Sequence, residues 1–343
     1  MIANSAVLKT AISRRVTNKW GNSLIGVFLM LIFFAPSPGH AGIARVEVHA
    51  FQSTTLTDQE FLTGKKNGKP IILAGELRIP KLGTEQLPAV VLVHGSSGIS
   101  GYVDDWAQWL NAMGIATFVF DSFTGRGLVA VNNDQSQLGR LAMIVDAYRA
   151  LELLAKHPRI DPERIALMGF SRGGQASLYA SLVRFQRMHA ANAPEYAAYI
   201  AFYPDCRTTY RGDIDVVGRP IRIFHGSADD YSPVDACRSY VERVRKDGKD
   251  VQLTEYPGAH HVFDWAMLKE PRKLEKAQTT RRCNLEESSN GRIINTATGK
   301  SFTYSDACVE LGPTIAYHPD AHGKVQKALK EFLATEFMLL EQP

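Results

Sequence analysis

The stretch that decides the fold runs Ile165-Ala166-Leu167-Met168-Gly169-Phe170-Ser171-Arg172-Gly173-Gly174-Gln175-Ala176-Ser177-Leu178-Tyr179-Ala180. Ile165 to Met168 is a short apolar run with strand character. It stops at Gly169, and an alanine-rich run with helical spacing follows Gly174. Glycines flanking a serine between strand and helix make the pattern of a nucleophile elbow, G-x-S-x-G. In such a turn a Cβ at position 169 or 173 would meet the neighbouring strand or helix, and the serine is held strained and exposed. The helix that follows points its N-terminus at the serine, so its free N–H groups and dipole favour negative charge there.

The rest of the chain alternates around this unit. Strands are expected at 45–51 and 71–79, the latter ended by Pro80. Pro88 to His94 is a continuous apolar run, the mark of a strand buried on both faces. Asp104 to Met113 reads as a helix, Ile115 to Phe120 as a second buried strand, and Gln137 to Lys156 as a long amphipathic helix. Asp161-Pro162 turns the chain into the elbow strand. Beyond the elbow helix, strands at 198–203, 221–225 and 251–256 enclose a helix at 234–245, and 321–340 is a closing helix. Strands alternating with helices imply a mostly parallel, doubly wound α/β sheet flanked by helices, in a single domain from residue 42 to 343. Residues 270–318 are polar and break the rhythm as an irregular excursion.

A serine hydroxyl needs a neighbouring base, and the base an orienting acid. In a parallel sheet all three sit beyond the carboxyl ends of strands. After the strand at 221–225 comes Gly226-Ser227-Ala228-Asp229-Asp230, and after that at 251–256 comes Pro257-Gly258-Ala259-His260-His261-Val262-Phe263. We place the acid at Asp229, three residues after Gly226 and four before Pro233. Asp230 is the adjacent alternative, otherwise a loop carboxylate that caps or pairs. The base is placed at His261, two residues before a Phe263 that would pin the loop; His260 is its alternative. Two backbone donors must face the developing oxyanion. They are the N–H of Arg172, directly after the nucleophile, and that of Ser96, in the loop after Leu92-Val93-His94-Gly95. His94 orients this loop. Asp121 and Arg126 either line the pocket or form a surface pair.

The N-terminus is a separate problem. Lys9, Arg14, Arg15 and Lys19 precede an apolar run from Leu24 to Ala35, then Pro36, Pro38, Gly39 and Ala41. That is the order of a secretory signal peptide, 1–41, cleaved after Ala41, with Ala44 the next candidate. An apolar run of about a dozen residues is too short to span a bilayer comfortably, so no stable membrane anchoring is expected after cleavage. The mature chain is expected to be periplasmic or secreted. These four residues also account for the whole excess of 39 Lys and Arg over 35 Asp and Glu, so the net charge of +4 implies no nucleic-acid partner. Four cysteines in an exported chain suggest two disulfides. We expect Cys206 with Cys237, near one end of the sheet, and Cys283 with Cys308, stapling the excursion. No C-x-x-C or H-x-x-x-H spacing supports a zinc site.

The segments reached so far resemble the dienelactone hydrolase family of α/β-hydrolases. They are Asp161-Pro162-Glu163-Arg164-Ile165 leading into the elbow, His225 to Asp230, and Glu255 to Phe263. The similarity covers roughly residues 70–265 and the final helix. The founding members carry a cysteine nucleophile and a glutamate motif after the early strand. Here Ser171 and His94-Gly95-Ser96-Ser97-Gly98 stand instead. The resemblance therefore implies a serine-nucleophile variant, an exported hydrolase of small-molecule carboxylic esters working through Ser171, His261 and Asp229 without metal or cofactor. A peptidase of prolyl-oligopeptidase type would share the elbow and triad order, but no propeller-sized N-terminal region is present. A non-catalytic binding protein on the same fold would not be expected to keep all three residues. Specificity is expected to rest on loops 97–103, 123–136 and 205–219.

Overall fold

A computed structural model describes residues 43–191 and 193–339; the expected signal peptide, 1–41, lies outside them. The chain order is β1 (Arg45–Thr55), α1 (Asp58–Leu62), β2 (Lys69–Ile79), β3 (Leu87–Val93), α2 (Gly101–Ala112), β4 (Ala116–Asp121), α3 (Ala142–Leu154), β5 (Ile160–Phe170), α4 (Arg172–Tyr179), α5 (Val183–His189), β6 (Ala198–Phe202), the two-residue β7 (Thr208–Thr209), β8 (Ile221–Gly226), α6 (Asp235–Lys246), β9 (Val251–Tyr256) and, after the excursion, α7 (Pro319–Glu336). Eight strands form one sheet in the order β1-β2-β4-β3-β5-β6-β8-β9. The β1/β2 and β2/β4 pairs are antiparallel, and every later pair is parallel.

The uninterrupted apolar character of β3 follows from its place in the middle of this sheet. Val91 and Val93 join one core with α3 and α4, while Val90 and Leu92 join the other with α2 and α7. All seven residues of β3 are buried. Alternate side chains of a strand point to opposite faces, so a strand covered on both faces must be apolar throughout.

Two local expectations need correction, and one short helix was missed. The helix read from Gln137 begins at Ala142; Gln135–Gln137 is a separate turn of 3-10 helix. Between them Asp58 accepts a hydrogen bond from the Leu141 N–H, fixing the chain before the helix starts. The Asp161-Pro162 turn lies inside β5, at a register shift opposite Leu87 and Ala89. The short helix α1 was not legible from periodicity; a capping box between Thr57 and Glu60 sets it.

The excursion is built from paired two- and three-residue strands and attaches to the body of the domain. Leu285–Glu287 lies parallel to β7, and Arg272–Lys273 pairs with Thr314–Ile315. The expected disulfides form, Cys206–Cys237 and Cys283–Cys308. The first ties the loop after β6 to α6; the second closes the excursion on itself.

The elbow is the tightest packing in the fold. A Cβ at Gly173 would lie 2.1 Å from the Val93 carbonyl oxygen, and one at Gly169 would lie 2.0 Å from that of Gly173. Both partners are backbone, so neither can swing away. Gly173→Ala is expected to cost about 3 kcal/mol or more, read by thermal unfolding as a Tm lower by about 6 °C or more. A variant melting with the wild type would refute this packing.

Candidate active site

Ser171 ends β5 and caps α4, with φ 55 and ψ −116. A left-handed conformation at a non-glycine residue costs on the order of 1–3 kcal/mol and persists where the surroundings over-determine it. Here Gly169, Gly173 and Gly174 admit the chain on three sides, and the Ser171 N–H donates to the Phe202 carbonyl at 2.9 Å. The side chain is thereby held out beyond the carboxyl end of the sheet.

His261 and Asp229 arrive from the loops after β9 and β8. The Ser171 hydroxyl lies 2.9 Å from His261 Nε2, and His261 Nδ1 lies 2.7 Å from Asp229 Oδ2. An ionised carboxylate only accepts, so Nδ1 carries the proton and Nε2 accepts from the serine. The other oxygen, Asp229 Oδ1, accepts the N–H groups of Tyr231 and Ser232 at 2.8 and 2.9 Å. Burial raises the Asp229 carboxyl, but the adjacent His261 and these donors outweigh it, and its pKa lies below the ordinary value. Both histidine and aspartate are buried. The imidazole lies between two phenol rings, Tyr203 at 4.6 Å and Tyr231 at 4.7 Å between centroids. Tyr203, itself at φ 38, donates its hydroxyl to the buried Asp264 at 2.9 Å.

The alternatives separate cleanly. Asp230 faces the excursion instead: it accepts the Thr314 N–H at 2.7 Å and lies 3.3 Å from Arg281 Nη1. His261 is the histidine of the pair that reaches Ser171, and its carbonyl accepts the Ala316 N–H at 3.2 Å. The excursion thus touches the loops that carry Asp229 and His261.

Ser96 and Arg172 lie beside Ser171, where the same hollow touches all three. Arg172 is the first residue of α4, so its N–H has no intrahelical acceptor. The loop carrying Ser96 is held by His94. The Ser122 N–H donates to His94 Nε2 at 3.1 Å, which leaves the proton on Nδ1, and Nδ1 donates to the Gly95 carbonyl at 2.8 Å. Asp121 and Arg126 take neither of the roles considered for them. Arg126 forks onto the buried Asp146 at 2.7 and 2.9 Å, and Asp121 caps the turn at Phe123 and Thr124.

Ser171 stands where two hollows meet. The outer cleft has a volume of about 290 Å³ and is walled by Tyr102, His261, Trp265, Leu274 and Ile315. The inner one, about 30 Å³, is polar and lined by Gln135, Arg140, Arg172, Gln175, Asp205 and Thr280. Of this inner wall the sequence reading named Arg172 and placed Gln135 and Asp205 in loops expected to carry specificity; it missed Arg140, Gln175 and Thr280. Gln175 was within reach, since it stands four residues after Ser171 at the spacing that shares a helix face.

A parallel sheet with a serine elbow, and a histidine and aspartate on later loops, defines the class of α/β-hydrolases. The chain belongs to the dienelactone hydrolase family, whose model matches residues 73–283. A Bradyrhizobium sp protein described as "Probable 2-oxo-3-(5-oxofuran-2-ylidene)propanoate lactonase" is 24% identical over 208 residues, 55% of this chain and 80% of that one. Among solved structures, a dienelactone hydrolase-like promiscuous phosphotriesterase from metagenomic libraries aligns with TM-score 0.54 at 17% identity, over 84% of this chain and 98% of its own. Esterase 2 of Thermogutta terrifontis, phosphoramylated by tabun, gives TM-score 0.54 at 15% identity, over 88% and 98%. At these identities the structural likeness establishes the fold alone.

His94 and His225 are both fully buried, and burial lowers the pKa of each. A histidine kept neutral in the fold contributes stability above its unfolded pKa, near 6.5. That stability is lost as pH falls below 6.5, where the unfolded chain takes up the proton first. Denaturant midpoints are expected to drop between pH 7.5 and 5.5, by up to about 1.4 kcal/mol per histidine. His94→Gln should flatten the slope; an unchanged slope would show that His94 does not contribute.

Proposed function

We propose that this chain is an exported serine esterase that cleaves carboxylic esters of small molecules through an acyl-enzyme. One observation carries the reading: an unbroken hydrogen-bonded series from Ser171 Oγ through His261 to Asp229, at a serine with φ 55. His261 takes the proton from Ser171, whose oxygen attacks the ester carbonyl. The oxyanion is held by the N–H groups of Arg172 and Ser96. His261 then gives its proton to the departing alcohol, and water repeats the sequence on the acyl-enzyme. Asp229 keeps His261 in the required tautomer and stabilises its cation.

The family and the names of its relatives support a hydrolase, and two disulfides fit an oxidising compartment. Among the described residues no helix is long and apolar enough to cross a membrane. With residues 1–41 as a cleaved signal, the enzyme would work in the periplasm or outside the cell.

The test is hydrolysis of a p-nitrophenyl acyl series by the mature protein. Ser171→Ala is expected to lose at least about a thousandfold in kcat, and Asp229→Asn up to about ten-thousandfold. Equal activity in wild type and Ser171→Ala would end the proposal.

A further inference from the structure

The two hollows that meet at Ser171 differ in what they touch, and the difference assigns the two halves of an ester. This step rests on the esterase reading above. His261 must hand its proton to the leaving alcohol, so the alcohol lies on the His261 side. His261 walls the outer cleft of about 290 Å³, together with Tyr102, Trp265 and Leu274. The inner hollow of about 30 Å³ shares Ser171 but is not lined by His261. Arg172 and Ser96 also line it, so the oxyanion takes part of it, and the remainder admits no more than one small substituent of the acyl group.

Most polar groups around the inner hollow are spent on one another. Arg140 pairs with Asp205 at 2.8 Å, and Thr280 donates to Asp205 at 2.9 Å. Arg172 Nη1 donates to the Leu138 carbonyl at 3.0 Å, and Nη2 to Gln135 Oε1 at 2.7 Å. Three donors remain. Arg172 Nε, Gln175 Nε2 and the Tyr231 hydroxyl are buried and have no partner among the described residues; Arg172 and Gln175 are only 4% and 3% exposed. A buried donor left without an acceptor costs about 1–3 kcal/mol. A ligand oxygen placed there recovers that cost. A carboxylate is disfavoured, because both ends of the Arg172 fork are already engaged and Arg140 is already paired.

We propose that Arg172 and Gln175 form an acyl subsite that selects short acyl groups carrying an uncharged acceptor oxygen, a hydroxyl or oxo group close to the ester carbonyl. Plain acyl groups of the same size leave both donors unpaired. The alcohol half can be larger and apolar.

The experiment compares phenyl lactate with phenyl isobutyrate, acyl groups of one shape that differ by hydroxyl for methyl. Each kcat/KM is divided by the rate of base hydrolysis of the same ester. In the wild type the lactate ester is expected to lead by about tenfold or more. In Gln175→Leu the ratio is expected to fall severalfold, and Gln175→Met replaces that variant should it fail to fold. A wild-type ratio at or below one, or a ratio untouched by the substitution, overturns the subsite. A phenyl hemimalonate turned over faster than both esters overturns the uncharged assignment. Diisopropyl fluorophosphate separates this proposal from the one beneath it. Labelling at Ser171 with neither ester hydrolysed overturns the subsite alone; no labelling and no hydrolysis overturns the esterase reading and the subsite with it.

Discussion

The close approach of backbone to backbone at the elbow is the constraint from which the site follows. Gly173 lies against the Val93 and His94 carbonyl oxygens, Gly174 against that of Phe202, and Gly169 against Gly173. These contacts join β3, β5, β6 and the first turn of α4, so four elements converge at one point. Any Cβ there would push them apart. The strain at Ser171, on the order of 1–3 kcal/mol, is sustained because the buried cores on both faces of the sheet hold β5 and α4 in place.

From that point the remaining parts are positioned by sheet order alone. The carboxyl ends of β3, β5, β6, β8 and β9 lie on one edge because those strands are parallel and adjacent. β3 delivers Ser96, β5 delivers Ser171, β6 delivers Tyr203, β8 delivers Asp229 and β9 delivers His261. Chain order and spatial order agree for all five. This is why partners for Ser171 could be sought just past each strand in turn, and why the three residues that meet there stand Ser171, Asp229, His261 in sequence.

The legible part of the molecule is thus the part where one residue type has one physical job. Glycine at 169 and 173, the apolar run of β3 and the histidine and aspartate after late strands each follow from a local need. Spacing from Gly226 and Pro233 pointed to Asp229 over Asp230, and Asp229 is the one that lies 2.7 Å from His261 Nδ1. The excursion was not, because its order comes from contacts remote in sequence. Asp230 with Thr314, and Glu287 with Arg184, pair residues roughly 80 to 100 positions apart. Strands of two or three residues carry no period to detect. The same remoteness hid Arg140, Asp205 and Thr280, whose shared hydrogen bonds assemble only after three separate loops meet.

That polar cluster also explains why an irregular segment stapled by Cys283–Cys308 belongs over this site. A charged pair with little water around it is stable only with near-complete hydrogen bonding. Arg140 has Asp205, Thr280 and Tyr304 around it, and two of the three come from the excursion. Remove the excursion and the guanidinium would face solvent, opening the inner hollow. With it in place, the space beside Ser171 is small, and its spare donors are fixed before any ligand arrives. Preorganised donors in a water-poor pocket discriminate through the penalty on the ligand that fails to pair with them, more than through the attraction of the ligand that does. The excursion therefore shapes the space beside Ser171 without supplying Ser171, Asp229 or His261.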